Sequence, residues 1–134
     1  MRVFCDTNVL VAAYAARGVC REVMYRCIEK HHLFISAYLL SELKDKLRIK
    51  IKLTPEECKA IIDYLQRNGI MVEDVKTPER VSRDPDDDPI LSAAHVARVD
   101  CLLSGDKDLL VLKTYKGIPI ISPGQFWKLE ATRD

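Results

Sequence analysis

The chain has 134 residues, of which 48% are hydrophobic and 31% charged, and Lys+Arg (21) nearly balances Asp+Glu (20). That length suits one domain with a core of its own, at about 100–200 residues per domain, and the apolar content excludes intrinsic disorder. The net charge of +1 excludes a strongly basic nucleic-acid coat, and no apolar run approaches the roughly 18 residues of a membrane span.

Taken in order, the chain alternates short apolar runs with helical patterns. Val3-Phe4-Cys5 reads as a buried strand ended by Asp6-Thr7-Asn8. Those three polar residues also interrupt the apolar stretch that a secretory leader would need. A helix follows to Ala16, and Arg17-Gly18 breaks it. Cys20 to about Lys30 is a second helix, and His31-His32 at its end read as exposed. Leu33-Phe34-Ile35 is a second strand. Ser36 caps a helix from Ala37 to about Ile49, with Leu39, Leu40, Leu43 and Leu47 at helical spacing. Thr54-Pro55-Glu56-Glu57 is a capping box with proline in the first turn, opening a helix that stops at Asn68-Gly69. Ile70-Met71-Val72 is a third strand, and residues 76–87 form a polar loop. Asp88-Pro89 reads as the N-cap and first turn of a helix to about Arg98. Cys101-Leu102-Leu103 is a fourth strand. Ile118-Pro119-Ile120-Ile121 is a fifth, placed at an edge because proline lacks an N–H. Ser122-Pro123-Gly124-Gln125 opens the last helix.

This alternation predicts an α/β fold whose parallel sheet is covered on both faces, with any ligand site beyond the carboxyl ends of the strands. Asp6 follows the first strand and Asp106 the fourth. Asp88 opens the helix before the fourth strand. Glu42 follows the second strand and lies at the boundary of the Leu39/Leu43/Leu47 stripe, where a carboxylate can line a cleft. Clustered carboxylates repel one another unless a cation neutralises them, and all-oxygen ligands suit Mg²⁺ or Mn²⁺. Taken singly, each acid has a plainer reading: a turn residue, a helix cap or a solvated side chain. The five cysteines are odd in number, scattered and without a C-x-x-C pair, which reads as buried free thiols of a reducing, cytoplasmic compartment. Lys44, Lys46, Arg48, Lys50 and Lys52 are opposed only by Asp45. They read either as a phosphate-tracking patch beside the site or as a solvated helix end. Tyr14, Phe34 and Tyr38 read as core or rim packing rather than stacking surfaces.

In order along the chain, Asp6-Thr7-Asn8-Val9-Leu10, Ser41-Glu42-Leu43, residues 83–91 and residues 103–110 resemble the four acidic motifs of the PIN-domain nucleases. The closing stretch 117–123 is also similar, so the resemblance spans almost the whole chain. The branch it resembles is the VapC-like toxins of prokaryotic toxin–antitoxin pairs. The resemblance implies a three-layer α/β/α sandwich around a mostly parallel five-stranded sheet, as one domain over residues 1–134. It implies a Mg²⁺- or Mn²⁺-dependent endoribonuclease acting on RNA, with an antitoxin partner, homodimers and no membrane association. Asp6, Glu42, Asp88 and Asp106 would be the catalytic carboxylates that hold the metal. Asn8 and Ser104 would orient them, and Lys44, Lys46 and Arg48 would bind substrate. Asp84, Asp86 and Asp87 compete for the third position; Asp88 is preferred because it precedes Leu91 by three residues and opens the helix. Asp108 likewise competes with Asp106. A non-catalytic scaffold that binds RNA or a protein, and a small phosphohydrolase, are the alternative readings.

Overall fold

The computed structural model describes residues 1–133. Six strands form one sheet: β1 (Arg2–Cys5), β2 (His32–Ser36), β3 (Ile70–Val72), β4 (Cys101–Leu103), β5 (Thr114–Tyr115) and β6 (Ile118–Ile121). Among the described residues seven helices connect and cover them: α1 (Thr7–Ala15), α2 (Val19–Lys30), α3 (Ala37–Ile49), α4 (Pro55–Asn68), α5 (Asp88–Val96), α6 (Lys107–Leu110) and α7 (Pro123–Arg133). A 3₁₀ turn, Pro85–Asp87, precedes α5. The strand order is β3-β2-β1-β4-β6-β5, parallel throughout except for the β5–β6 pair. This is the three-layer α/β/α arrangement.

The sheet has six strands where the sequence pattern predicts five. The addition is β5, a two-residue strand turned back onto β6 by Lys116-Gly117, both at positive φ (48° and 82°). β6 is therefore not an edge strand. Pro119 is accommodated because it lies outside the β4 pairing of Ile120 and Ile121, and opposite Thr114 of β5 it takes the position between ladder bonds, Ile120 N donating to Lys113 O, so no bond is asked of the missing N–H.

β1 is buried on both faces, with Val3, Phe4 and Cys5 fully inaccessible, as expected of a central parallel strand. It pairs with β2 on one side and β4 on the other, so the chain reverses its direction of growth between β1 and β4. Such a reversal leaves a crevice at the carboxyl ends of the two strands. The β1–β4 ladder continues one residue past β1, and the β4–β6 ladder one residue past β4. Asp6 N donates to Leu103 O at 2.9 Å, and Ser104 N donates to Ile121 O at 2.9 Å. This register holds Asp6 and Ser104 side by side at the crevice.

Four of the five cysteines are buried, Cys20 is half-buried, and all are free. Among the described residues no helix is long and apolar enough to cross a membrane. His32 is exposed, but His31 is not. Its Nε2 lies 2.6 Å from Glu130 Oε2, its Nδ1 lies 3.0 Å from the terminal amine of Met1, and its ring meets Phe126 edge-on. Glu130 is buried and also accepts from Arg26 Nε at 2.8 Å, which ties α7 to α2. The Arg26 hydrogen bond holds the Glu130 carboxyl below its ordinary range, with the His31 contact adding to it. A depressed carboxylate stabilises the fold above its unfolded pKa and loses that contribution as pH falls through its folded pKa. Glu130→Gln is expected to cost about 1–3 kcal/mol near neutral pH, with the difference from wild type narrowing below pH ~4. Urea unfolding at the two pH values checks this, and an equal difference at both would contradict it.

Candidate active site

One cleft at the carboxyl edge of β1 and β4 gathers Asp6, Glu42, Asp84, Asp86, Asp87 and Asp106, with Thr7, Asn8, Lys46 and Ile90 completing its walls. Its volume is about 80 Å³. Six carboxylates face one ammonium group there.

Asp6 ends β1 and is the N-cap of α1, so one residue serves both elements. Its Oδ1 accepts from Val9 N at 3.1 Å, and its Oδ2 accepts from Ser104 Oγ at 2.5 Å. Ser104 is fully buried, and its Oγ also accepts from Asp106 N at 3.0 Å. One hydroxyl thus links the carboxylate after β1 to the backbone after β4. Asp106 caps α6, with Oδ1 accepting from Asp108 N at 2.8 Å, while Asp108 does not line the cleft. Glu42 reaches the cleft from α3, with a side chain 20% exposed. Thr7 Oγ1 donates to Glu42 Oε1 in a short hydrogen bond. Tyr38, one turn earlier on α3, places its hydroxyl 3.3 Å from Glu42 Oε2 and donates to Asp86 O at 3.1 Å. Tyr38 therefore joins α3 to the acidic loop.

The structure corrects the expected placement of Asp88 at the cleft. Asp88 is buried but turned away from the cleft. Its Oδ1 accepts from Val81 N at 3.1 Å and Ser82 N at 2.8 Å. Its Oδ2 makes no hydrogen bond and lies 3.6 Å from Arg80 Nε. Nor does Asp88 cap α5, because the preceding 3₁₀ turn, capped by Asp84 through Asp86 N, already carries the chain into the helix. Asp87, one residue earlier, points into the cleft with Ser82 Oγ donating to its Oδ2 at 3.1 Å. A one-residue change on a helical turn rotates a side chain by about 100°, enough to exchange solvent cleft for packed loop.

The three expected substrate-side residues separate as well. Lys46 enters the cleft, and its Nζ donates to Asn8 Oδ1 at 3.0 Å. Lys44 and Arg48 stand exposed on α3, outside the walls. The Asn8 side chain meets Lys46, while its backbone amide acts on the Asp6 carboxylate. Thr7 and Tyr38 are the groups that sequence reasoning missed. The signal for Thr7 is a hydroxyl inside the first acidic motif, and for Tyr38 the spacing of four to Glu42.

Burial pushes the Asp6 carboxyl above its ordinary value of 3.8; the Ser104 hydroxyl and the Val9 and Asn8 amides oppose this, and the Asp106 charge adds to it. Asp87 is pushed from 3.8 to about 7, first by burial and then by the charges of Asp106, Asp84 and Asp6, against the Ser82 hydrogen bond. The donor set is all oxygen, anionic and under-neutralised, which fits a hard divalent cation. Among the described residues, no three His, Cys, Asp or Glu side chains converge tightly enough to enclose an ion without moving. Binding would have to draw the carboxylates inward.

A raised carboxylate pKa stabilises the fold below its unfolded pKa and loses that contribution as pH rises through the folded value. In EDTA, the melting temperature is therefore expected to fall by a few degrees between pH ~4.5 and pH ~8. Asp87→Asn should flatten that fall. Identical profiles for wild type and Asp87→Asn would refute the assignment.

The family model described as PIN domain matches residues 2–108. No curated protein matches the chain. Among solved structures, VapBC2 from Rickettsia felis bound to a DNA fragment from their promoter is similar, with a TM-score of 0.62 and 14% identity over 90% of this chain and 97% of that one. FitAcB from Neisseria gonorrhoeae is similar with a TM-score of 0.56 and 12% identity, over 91% of this chain and 98% of that one. At these identities the likeness is one of fold.

Proposed function

The chain belongs to the PIN domain family, and from that premise we propose that it is a Mg²⁺- or Mn²⁺-dependent endoribonuclease, the toxin of a toxin–antitoxin pair. The observation that carries this reading is the convergence of Asp6, Glu42, Asp87 and Asp106 from four separate parts of the chain onto one cleft. These four carboxylates are the proposed metal ligands, with Asp84 beside them; Asp88 is replaced by Asp87. A divalent ion held there would supply an activated water and charge stabilisation for an in-line displacement at phosphorus.

The chain's own groups do the rest. Ser104 and Val9 N fix both oxygens of Asp6, and Thr7 and Tyr38 fix those of Glu42. These bonds keep Asp6 and Glu42 at the cleft wall, and an arriving ion would have to draw them inward from there. Lys44 and Arg48, exposed on the helix that carries Glu42, follow the RNA backbone away from the scissile phosphate. The antitoxin partner, the homodimer and a cytoplasmic setting belong to the same reading; the partner is supported by family membership and by the fold shared with VapBC2 and FitAcB.

The test offers three substrates to the protein with Mn²⁺: a single-stranded RNA, the DNA of the same sequence, and a phosphomonoester such as p-nitrophenyl phosphate. RNA cleavage without phosphomonoester turnover is expected. Phosphomonoester turnover would favour a phosphohydrolase. RNA binding without cleavage under any divalent ion would favour a scaffold. Replacing both Lys44 and Arg48 by alanine should weaken RNA binding by about three- to tenfold at low salt and reduce the salt slope by about 1.4. An unchanged slope, read from a binding titration at several salt concentrations, would remove these two residues from the RNA path.

A further inference from the structure

Lys46 is the single cation among the residues that line the acidic cleft. It stands one turn after Glu42 on α3, so both side chains leave the same helix face. Lys44, two residues earlier and on the other side of α3, extends into water as surface lysines ordinarily do. Lys46 instead spans the gap from α3 to the start of α1. Its Nζ donates to Asn8 Oδ1 at 3.0 Å and lies 3.9 Å from Glu42 Oε1. Its side chain is only 25% exposed. The exposed amide of Asn8 is thus used to hold an ammonium group at the cleft rather than to orient a carboxylate.

We infer that Lys46 is the built-in counter-cation of the cleft: it occupies the Asn8–Glu42 corner, competes there with the divalent ion, and turns to the RNA phosphate when the ion enters. The inference rests on the reading of the cleft as a divalent-ion site. Two cations a few ångströms apart in a partly desolvated cleft repel each other, so the ammonium and the ion cannot both keep Glu42 at full strength. The flexible four-carbon stem of lysine lets the charge move without disturbing α3. Moved outward, Nζ reaches the mouth of the cleft, where it meets substrate phosphate as a point charge. Phosphate that draws Lys46 away from Glu42 tightens the ion, and the ion in turn tightens the RNA, because coupling between two binding sites is reciprocal. The device would keep the ion weakly held until RNA is present.

The test is a Mn²⁺ titration without RNA, at low salt, reading free Mn²⁺ by electron paramagnetic resonance. Wild type, Lys46→Met, Lys46→Arg and Lys46→Met combined with Asp6→Asn are compared. Lys46→Met is expected to bind Mn²⁺ about three- to tenfold more tightly than wild type, with Lys46→Arg close to wild type. Adding Asp6→Asn should erase that gain. In EDTA, Lys46→Met should melt at a lower temperature than wild type, and saturating Mn²⁺ should reverse the order. Equal or weaker Mn²⁺ binding by Lys46→Met, with wild type binding, overturns the inference and leaves the metal reading intact. A gain that survives Asp6→Asn puts the ion elsewhere and also overturns it. Absence of Mn²⁺ binding in all four proteins contradicts both readings.

Discussion

Asp6→Asn is expected to lower Mn²⁺-dependent RNA cleavage by roughly 10³-fold, about 4 kcal/mol of barrier at 1.36 kcal/mol per tenfold, without destabilising the protein. The two halves of this result have separate causes. Asparagine removes a negative donor from the centre of the cleft but keeps the side-chain oxygen that accepts from Val9 N, so the cap of α1 survives. Burial and the Asp106 charge disfavour the ionised carboxyl at position 6, so neutralising it relieves a cost that the metal-free protein bears. The thermal midpoint in EDTA should therefore stay level or rise while activity disappears. A variant that lost activity together with several degrees of melting temperature would point to a structural role, and one that retained activity would remove Asp6 from the chemistry.

The neighbouring acids Asp87 and Asp88 are expected to separate completely. Asp87→Asn should cost cleavage by about 10²-fold or more with the fold retained, because the amide still meets Ser82 Oγ while the charge in the cleft is gone. Asp88→Ala should do the reverse. It strips the acceptor from the buried Ser82 N and from Val81 N, and leaves the loop before α5 without its anchor. A loss of about 2–4 kcal/mol in unfolding free energy is expected, with cleavage per folded molecule largely kept at low temperature. Urea titration and single-turnover cleavage on the same preparations decide the matter. The opposite pattern, a stable but inactive Asp88→Ala, would return the third carboxylate to position 88.

That pair also shows where the sequence stops being legible. Elements with chemical punctuation could be read directly. The capping box at Thr54 forms with both bonds, Glu57 N to Thr54 Oγ1 at 3.1 Å and Thr54 N to Glu57 Oε1 at 3.0 Å. The second box forms between Ser122 and Gln125. Glu42 could be placed because a leucine stripe with helical spacing fixes the direction of every other residue on α3. Residues 84–88 offer no such ruler. Four of the five are aspartates, no apolar periodicity runs through them, and the direction of each depends on a 3₁₀ turn that the sequence does not announce. The short β5 was hidden for a related reason. Its turn uses Lys116 at positive φ, a conformation for which lysine carries no signature, and only Gly117 hints at it. His31 escaped because its partners are remote in sequence: Glu130 lies 99 residues away.

The most direct test of the central claim is single-turnover cleavage of an end-labelled single-stranded RNA, followed through metal removal and return. Wild type with Mn²⁺, with EDTA, and with Mn²⁺ restored in excess over EDTA would be run beside Asp6→Asn purified in parallel. Cleavage in the first, its loss in the second, its recovery in the third and its absence in Asp6→Asn is the expected result. Cleavage that persists in EDTA, or that wild type and Asp6→Asn share equally, would contradict a metal-dependent nuclease centre at this cleft.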